Sequence, residues 1–322
     1  MSNLYIIGNG FDLAHNLETD YWAFRKFLKK YYIDFLILFE KIYNINQLDP
    51  TEYGYNPNIQ EKWNDVIYNM LWSSFEEFIG FPNIQEILDD SSSILDDMNL
   101  DAGNIYIKDT MDEYWKKKYG FISDLHKYVN EWILTVNLNN TSPKKISLIQ
   151  SNDYFLSFNY TTLLEDVYKI ENVMHIHGCV RKDINYPPVI GHCNQQLINE
   201  HIYYVKKNKK LDNDGEMSIH TAIVNYLSSI YKDTKCYINA NKRFFNHLKE
   251  IEKVIIFGWS AGEVDIPYLD MIQLSVSKNV KWEVYYYNQK SYNLLYQAFK
   301  KTRIYDNFKD IVFIKSEKFW DY

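Results

Sequence analysis

The chain has 322 residues, 46% of them hydrophobic and 17% aromatic. That is enough for one large α/β domain with insertions, or for two modest domains, around a sizeable core. A net charge of −7 argues against a surface built throughout for nucleic acid, and three cysteines (Cys179, Cys193, Cys236) are too few and too odd in number for a disulfide framework.

The first predicted element is a strand, Leu4-Tyr5-Ile6-Ile7, ending in Gly8-Asn9-Gly10 and followed by a helical pattern. Glycines let a backbone approach a bound group closely, and the N–H groups at a helix start favour an anion such as a pyrophosphate. Leu13 stands where the third glycine of a dinucleotide turn belongs, so an ordinary β–α turn is the competing reading. A chain that opens on a strand is expected to carry no signal peptide. The most apolar run, residues 33–39, contains Asp34 and is too short to span a bilayer. A soluble protein of a reducing, cytoplasmic compartment is expected.

Tyr21, Phe24, Phe27, Leu28, Tyr31 and Phe35 recur at helical spacing, with Thr19 or Asp20 as cap. Residues 44–60, with Pro50, Gly54 and Pro57, read as a loop. Trp63, Val66, Ile67, Met70, Leu71, Phe75, Phe78 and Ile79 predict an amphipathic helix stopped by Phe81-Pro82. Residues 89–103 are acidic and serine-rich, an exposed loop, and a helical stretch covers about 109–134. Residues 17–148 therefore form a helical insertion after the first βα unit.

Strand patterns resume at 154–158 and 173–177, with a short helix between them. Residues 179–250 are mixed, with Pro187-Pro188, a lysine-rich stretch at 206–210 read as a solvated face or loop, and helices near 216–231 and 240–250. Strands follow at 253–257, 280–287 and 311–314, and Asp265 and Pro267 open a helix after the first of them. Six strands separated by helices predict an α/β fold with a Rossmann-like parallel sheet. Its core domain is placed at 1–16 and 149–322, with a helical sub-insertion at 195–250.

Gly8, Asn159, Gly178 and Gly258 all fall at or just past predicted strand C-termini, the edge where open α/β sheets bind ligands. Asn159, in Ser157-Phe158-Asn159-Tyr160-Thr161-Thr162, can hold a ribose hydroxyl or position a water; a helix cap is its plainer role. His175 and His177 alternate on one strand face. Their spacing to His192 and Cys193 matches no standard zinc site, and no metal is expected. His177, before a glycine at a strand end, suits a general base; a buried histidine bonded to backbone is the alternative. Ser260 can bond phosphate or ribose. Asp265 is a ligand or an N-cap, and Asp12 a ribose contact or a cap. His15 reads as surface polar. Gly258-Trp259-Ser260-Ala261-Gly262 matches the nucleophile-elbow string, but no histidine follows His247, so the triad order of an α/β-hydrolase is missing.

These motifs together resemble the AbiH family of bacterial phage abortive-infection proteins. The resemblance is carried by Ile7-Gly8-Asn9-Gly10-Phe11-Asp12-Leu13-Ala14-His15, Leu71-Trp72-Ser73-Ser74-Phe75-Glu76, Phe158-Asn159-Tyr160-Thr161, His175-Ile176-His177-Gly178 and the run from Gly258 to Asp265, over roughly residues 4–290. The family is distantly similar to sirtuin-like domains that bind NAD on a Rossmann-type sheet. Two departures count against protein deacylation: Thr161 replaces the sirtuin aspartate, and the four-cysteine zinc module is absent.

The resemblance implies a defence effector that hydrolyses NAD to nicotinamide and ADP-ribose. Asn159, His177 and Asp12 would be catalytic. Gly8, Asn9, Gly10, Phe11, Thr161, Gly178, Gly258, Ser260 and Asp265 would line the dinucleotide. The rival expectation is a non-catalytic nucleotide-binding sensor or partner-binding subunit. Expected partners are NAD or a related nucleotide and, through the helical insertion, a second copy or another defence component. Neither membrane nor nucleic acid is expected.

Overall fold

A computed structural model describes residues 2–45, 57–89, 104–146, 149–150, 152–180, 186–302 and 311–320. The predicted loop at 89–103, beyond its first residue, and most of the loop at 44–60 lie outside them. The chain divides into two compact units. The first comprises Met1–Asp20, Val129–Val189 and Asp233–Tyr322; the second comprises Tyr21–Tyr128 and Ile190–Lys232.

The first unit holds the sheet. Its strands are β1 (Ser2–Ile7), β2 (Tyr154–Ser157), β3 (Val173–His175), β4 (Ile251–Phe257), β5 (Lys281–Tyr286) and β6 (Ile311–Lys315). All pairs are parallel, in the order β3-β2-β1-β4-β5-β6. This is the Rossmann order, in which the chain starts at the sheet centre and winds outward in both directions. Alternation along β1 explains why that strand is central. Leu4 and Ile6 enter one buried cluster with Leu156, Val254, Ile256, Leu269, Ile272 and Phe299, whereas Tyr5 and Ile7 enter another with Phe155, Ile255, Phe257 and Phe11. A strand apolar on both faces is stable only with helices or loops over each.

The register sets one row across the sheet: Ile7 lies beside Ser157 and Phe257, and Ser157 beside His175. The next residues of four adjacent strands therefore leave the sheet at one edge. Between β1 and β4 the backbones meet there. The Gly8 N–H donates to the Phe257 carbonyl (3.0 Å) and the Gly10 N–H to the Gly258 carbonyl (2.8 Å). A Cβ on Gly8 would stand 2.5 Å from Trp259 Cα, and one on Gly10 2.6 Å from Gly258 Cα. Gly258 itself has φ +68°.

The second unit is helical. It contains Tyr21–Tyr31, Ile33–Ile42, Pro57–Met70, Asn104–Tyr119, Gln195–Lys210 and Asp214–Ser229. The single helix expected from Tyr21 to Phe35 breaks at Tyr32, whose φ of −141° and ψ of 51° are not helical. The stretch expected at 109–134 is interrupted at Gly120, where a 3₁₀ turn, Gly120–Asp124, intervenes. The lysine-rich stretch at 206–210 forms the last turn of Gln195–Lys210, where cations oppose the helix dipole. In this unit Arg25 makes a bidentate pair with buried Glu40 (2.6 and 3.0 Å), and the Trp72 indole donates to Glu40 as well (2.8 Å). Lys232, fully buried, pairs with Glu76 at 2.7 Å. Trp72 and Glu76 of the Leu71–Glu76 motif thus satisfy buried charges. Among the described residues no helix is long and apolar enough to cross a membrane.

The contact between the two turns makes a direct prediction. Gly258→Ala places a Cβ 2.5 Å from the Phe11 backbone nitrogen at a left-handed φ. The change should lower the unfolding free energy by about 2–5 kcal/mol. Urea unfolding followed by circular dichroism measures it, and an unchanged midpoint refutes the reading.

Candidate functional site

Where β1 to β4 end, four short segments bring polar side chains into the first unit's interior. The turn after β1 supplies Asp12, which is 1% exposed. The segment after β2 supplies Asn159 and Thr161, which reach across to it. The Asn159 Nδ2 group donates to Asp12 Oδ1 (2.9 Å), and the Thr161 hydroxyl donates to Asp12 Oδ2 (2.7 Å). Asp12 therefore stands in the first turn of its helix without acting as its cap; Asn9 holds the N-cap position. Burial pushes the Asp12 carboxyl up to about 7, against the lowering effect of its Thr161 and Asn159 hydrogen bonds and of nearby His175.

With the Asn159 amide nitrogen committed to Asp12, its Oδ1 is left as a buried acceptor without a hydrogen-bond partner among the described residues. The Asn159 backbone is fixed as well. Its N–H donates to the Ser157 hydroxyl (3.2 Å), and its carbonyl accepts from His175 Nδ1 (3.0 Å). His175 Nε2 lies 2.7 Å from Glu165 Oε1, so both ring nitrogens face acceptors. No sequence signal points to Glu165, whose place depends on the four-residue helix Leu163–Asp166 turning it back to β3.

His177 lies two residues past His175, beyond the end of β3. It is 3% exposed and packs edgewise on Phe158 and Tyr268, each at 5.2 Å between ring centroids. Its Nε2 lies 3.7 Å from Asp265 Oδ1. Asp265 occupies the N-cap position of the helix Ile266–Ser275 but makes no side-chain cap bond; its Oδ2 accepts the Trp259 indole N–H at 3.0 Å. Trp259 is part of the Gly258–Asp265 motif, yet its spacing carried no sign of this bond. Gly178, at φ +76°, makes the turn that follows His177.

Two groups therefore form: Asp12, Asn159 and Thr161 with His175 behind them, and His177 with Asp265, Trp259 and Tyr268. Phe158, tilted against the Trp259 ring at 4.6 Å, joins the second group to the chain leaving β2. Other expected residues take different places. Asn9 is tied by its side chain to Thr19, as donor to the carbonyl (2.9 Å) and acceptor of the hydroxyl (2.6 Å). Phe11 is buried against Phe257, Tyr168 and Trp320. Ser260 is exposed. Gly8, Gly10 and Gly258 pack on one another's backbones. His15 is buried rather than a surface group: its ring nitrogens bond the Phe11 carbonyl and the Tyr168 hydroxyl, both at 2.7 Å. Among the described residues no three His, Cys, Asp or Glu side chains come together as metal ligands.

The sequence model of one family, described as bacteriophage abortive infection AbiH, matches residues 4–286. No curated protein and no solved structure matches the chain.

A raised carboxyl pKa has a definite thermodynamic sign. Between the ordinary aspartate value of 3.8 and about 7, folded Asp12 keeps a proton that the unfolded chain has lost. Stability therefore falls as pH rises through that window and levels off above it. Asp12→Asn removes the titration, and the Thr161 hydroxyl can turn to accept from the new amide. Its stability relative to wild type should rise between pH 4 and 7 by a few kcal/mol, on the order of that shift. Denaturation midpoints across the range measure this; parallel pH profiles for the two proteins would refute it.

Proposed function

The chain belongs to the bacteriophage abortive infection AbiH family, and we propose that it serves that defence role by hydrolysing NAD to nicotinamide and ADP-ribose. The observation that carries the reading is the Asn159 Oδ1 atom, a buried acceptor held at the sheet's C-terminal edge with no donor of its own. An orphaned acceptor beside a carboxyl of near-neutral pKa suits a polar reactant that brings its own O–H. A ribose hydroxyl and a water molecule both do.

In this reaction the bond between ribose C1′ and the nicotinamide nitrogen breaks, and its electron pair leaves with nicotinamide. Positive charge develops on the ribose, water adds at C1′, and the water gives up a proton. Asn159 would orient the ribose or the water through Oδ1. Asp12, raised to about 7, is matched to accept that proton near neutral pH and to stabilise the developing charge once ionised. Thr161 would steady Asp12. His177, with Asp265 beside it, would be the second proton acceptor, and Gly178 would shape the wall next to it.

The reactive groups are enclosed: Asn159 is 6% exposed and His177 3%. An effector that must stay silent before infection would be closed in this way, with opening as the activating step. One observation bears on the pyrophosphate end of the site both in this reading and in the rival, a non-catalytic nucleotide-binding sensor. The Gly10 N–H, which a dinucleotide turn would offer to a pyrophosphate, donates to the Gly258 carbonyl.

The test is nicotinamide release from NAD by the purified full-length chain, alone and with extract of phage-infected cells. Wild type should release nicotinamide, and Asp12→Asn and Asn159→Ala should lose about 100-fold or more in rate while keeping a cooperative melt. Wild-type rates equal to those of both variants would end the catalytic claim. A thermal shift with NAD but no turnover would then favour the sensor.

A further inference from the structure

A cavity lies wholly within the second unit, between the helices Asn104–Tyr119 and Asp214–Ser229. Its volume is about 450 Å³, within the range of about 300–1,000 Å³ typical of small-molecule sites. Its walls have a definite chemistry. Trp115 and Tyr119 are near-parallel, with ring centroids 5.6 Å apart and 18° between planes, and Tyr226 stands almost at right angles to Tyr119. Two such rings and Ala222 make an apolar lining suited to a flat ligand.

The polar groups around that lining divide by hydrogen-bond role. The Ser218 hydroxyl donates to Asp112, and the Thr221 hydroxyl to the Met217 carbonyl (2.7 Å). The Ser229 hydroxyl donates to the Asn225 and Tyr226 carbonyls (3.0 and 2.8 Å). These three hydroxyl protons are committed to the chain, so toward a ligand the hydroxyls act as acceptors. Asp112 adds a carboxylate. Trp115 has the opposite role: its indole N–H is closed to water and has no acceptor among the described residues, so a ligand meets it once the ring turns toward the cavity. Leaving such a donor unmet costs about 1–3 kcal/mol, which a ligand acceptor would recover.

We propose that this cavity binds a purine-type base, a flat heteroaromatic ring whose ring nitrogen or carbonyl accepts from Trp115 and whose amino group donates to the Asp112 and hydroxyl side. A purine combines the three properties the walls ask for: a stacking face, one acceptor and one N–H donor edge. Lys116, exposed and also lining the cavity, places a positive charge where a sugar phosphate attached to the base would meet it. The site is separate from the Asp12 and Asn159 groups and does not rest on their chemistry.

Isothermal titration of the full-length chain with adenosine and with guanosine tests the proposal, and the two arms identify the base. One of them should bind saturably at one site per chain. Trp115→Phe keeps the ring and removes only the N–H, and should weaken binding about tenfold. Ala222→Trp should fill the cavity and abolish binding. Saturable binding of neither nucleoside up to millimolar concentration would overturn the proposal. So would an affinity unchanged in Trp115→Phe, which decides the matter even if Ala222→Trp fails to fold.

Discussion

Much of the first unit depends on one close approach, that of the turn after β1 to the turn after β4. Only the absence of a side chain at Gly8, Gly10 and Gly258 lets these backbones sit within hydrogen-bond distance. The contact closes the point where strand order reverses, since β1 and β4 are the neighbours from which the sheet winds outward. In dinucleotide-binding folds that crevice is open and receives a ligand. Here the same glycines serve backbone against backbone, and the polar groups gather one strand further over, above β1, β2 and β3.

Moving the polar centre toward β2 changes what it is able to do. An anion site made of backbone N–H groups is fixed and positive. A site made of Asp12, Asn159 and Thr161 is protonatable and takes its character from burial. Asp12 receives two hydrogen bonds and stands near His175, all of which favour its ionised form, yet desolvation outweighs them. The outcome is a carboxyl poised near neutrality, held where the register of β1 on β2 places it. Asn159 is the hinge of this arrangement, because its amide nitrogen, carbonyl and backbone N–H are all engaged and only Oδ1 is not.

The fold was legible in the sequence because its signal is periodic. Apolar runs at β1, β2, β4 and β5 identify buried parallel strands without any knowledge of contacts. The candidate site was legible only in part. Asn159 and Asp12 could be placed at strand ends, but each had an equally ordinary role as a cap, and the choice depended on a contact between residues 147 apart. Local spacing carries no record of such a pair. Glu165 and the indole of Trp259 escaped although their partners lie only 10 and 6 residues away, because those bonds depend on how a turn aims each side chain and not on periodicity. His15 misled in the opposite direction: a histidine near a helix end reads as exposed until Tyr168 and Trp320 are seen to cover it.

A near-neutral Asp12 also couples to the charge of whatever reaches it, and NAD carries both signs. A pyrophosphate near Asp12 would raise its pKa further and keep the carboxyl protonated, a hydrogen-bond donor with no repulsion toward the ligand. A nicotinamide cation or the developing ribose charge would lower it and favour the carboxylate, which is the form that accepts a proton and stabilises positive charge. A carboxyl fixed near 3.8 would always be anionic at physiological pH and would oppose the pyrophosphate end. One held near 7 can respond to either end. On the proposed reaction, the ribose side of NAD must therefore lie over Asp12 and Asn159. The phosphates would then extend toward the β1–β4 contact, where Gly258 now occupies the Gly10 N–H. Entry of substrate and separation of the two turns would be one event.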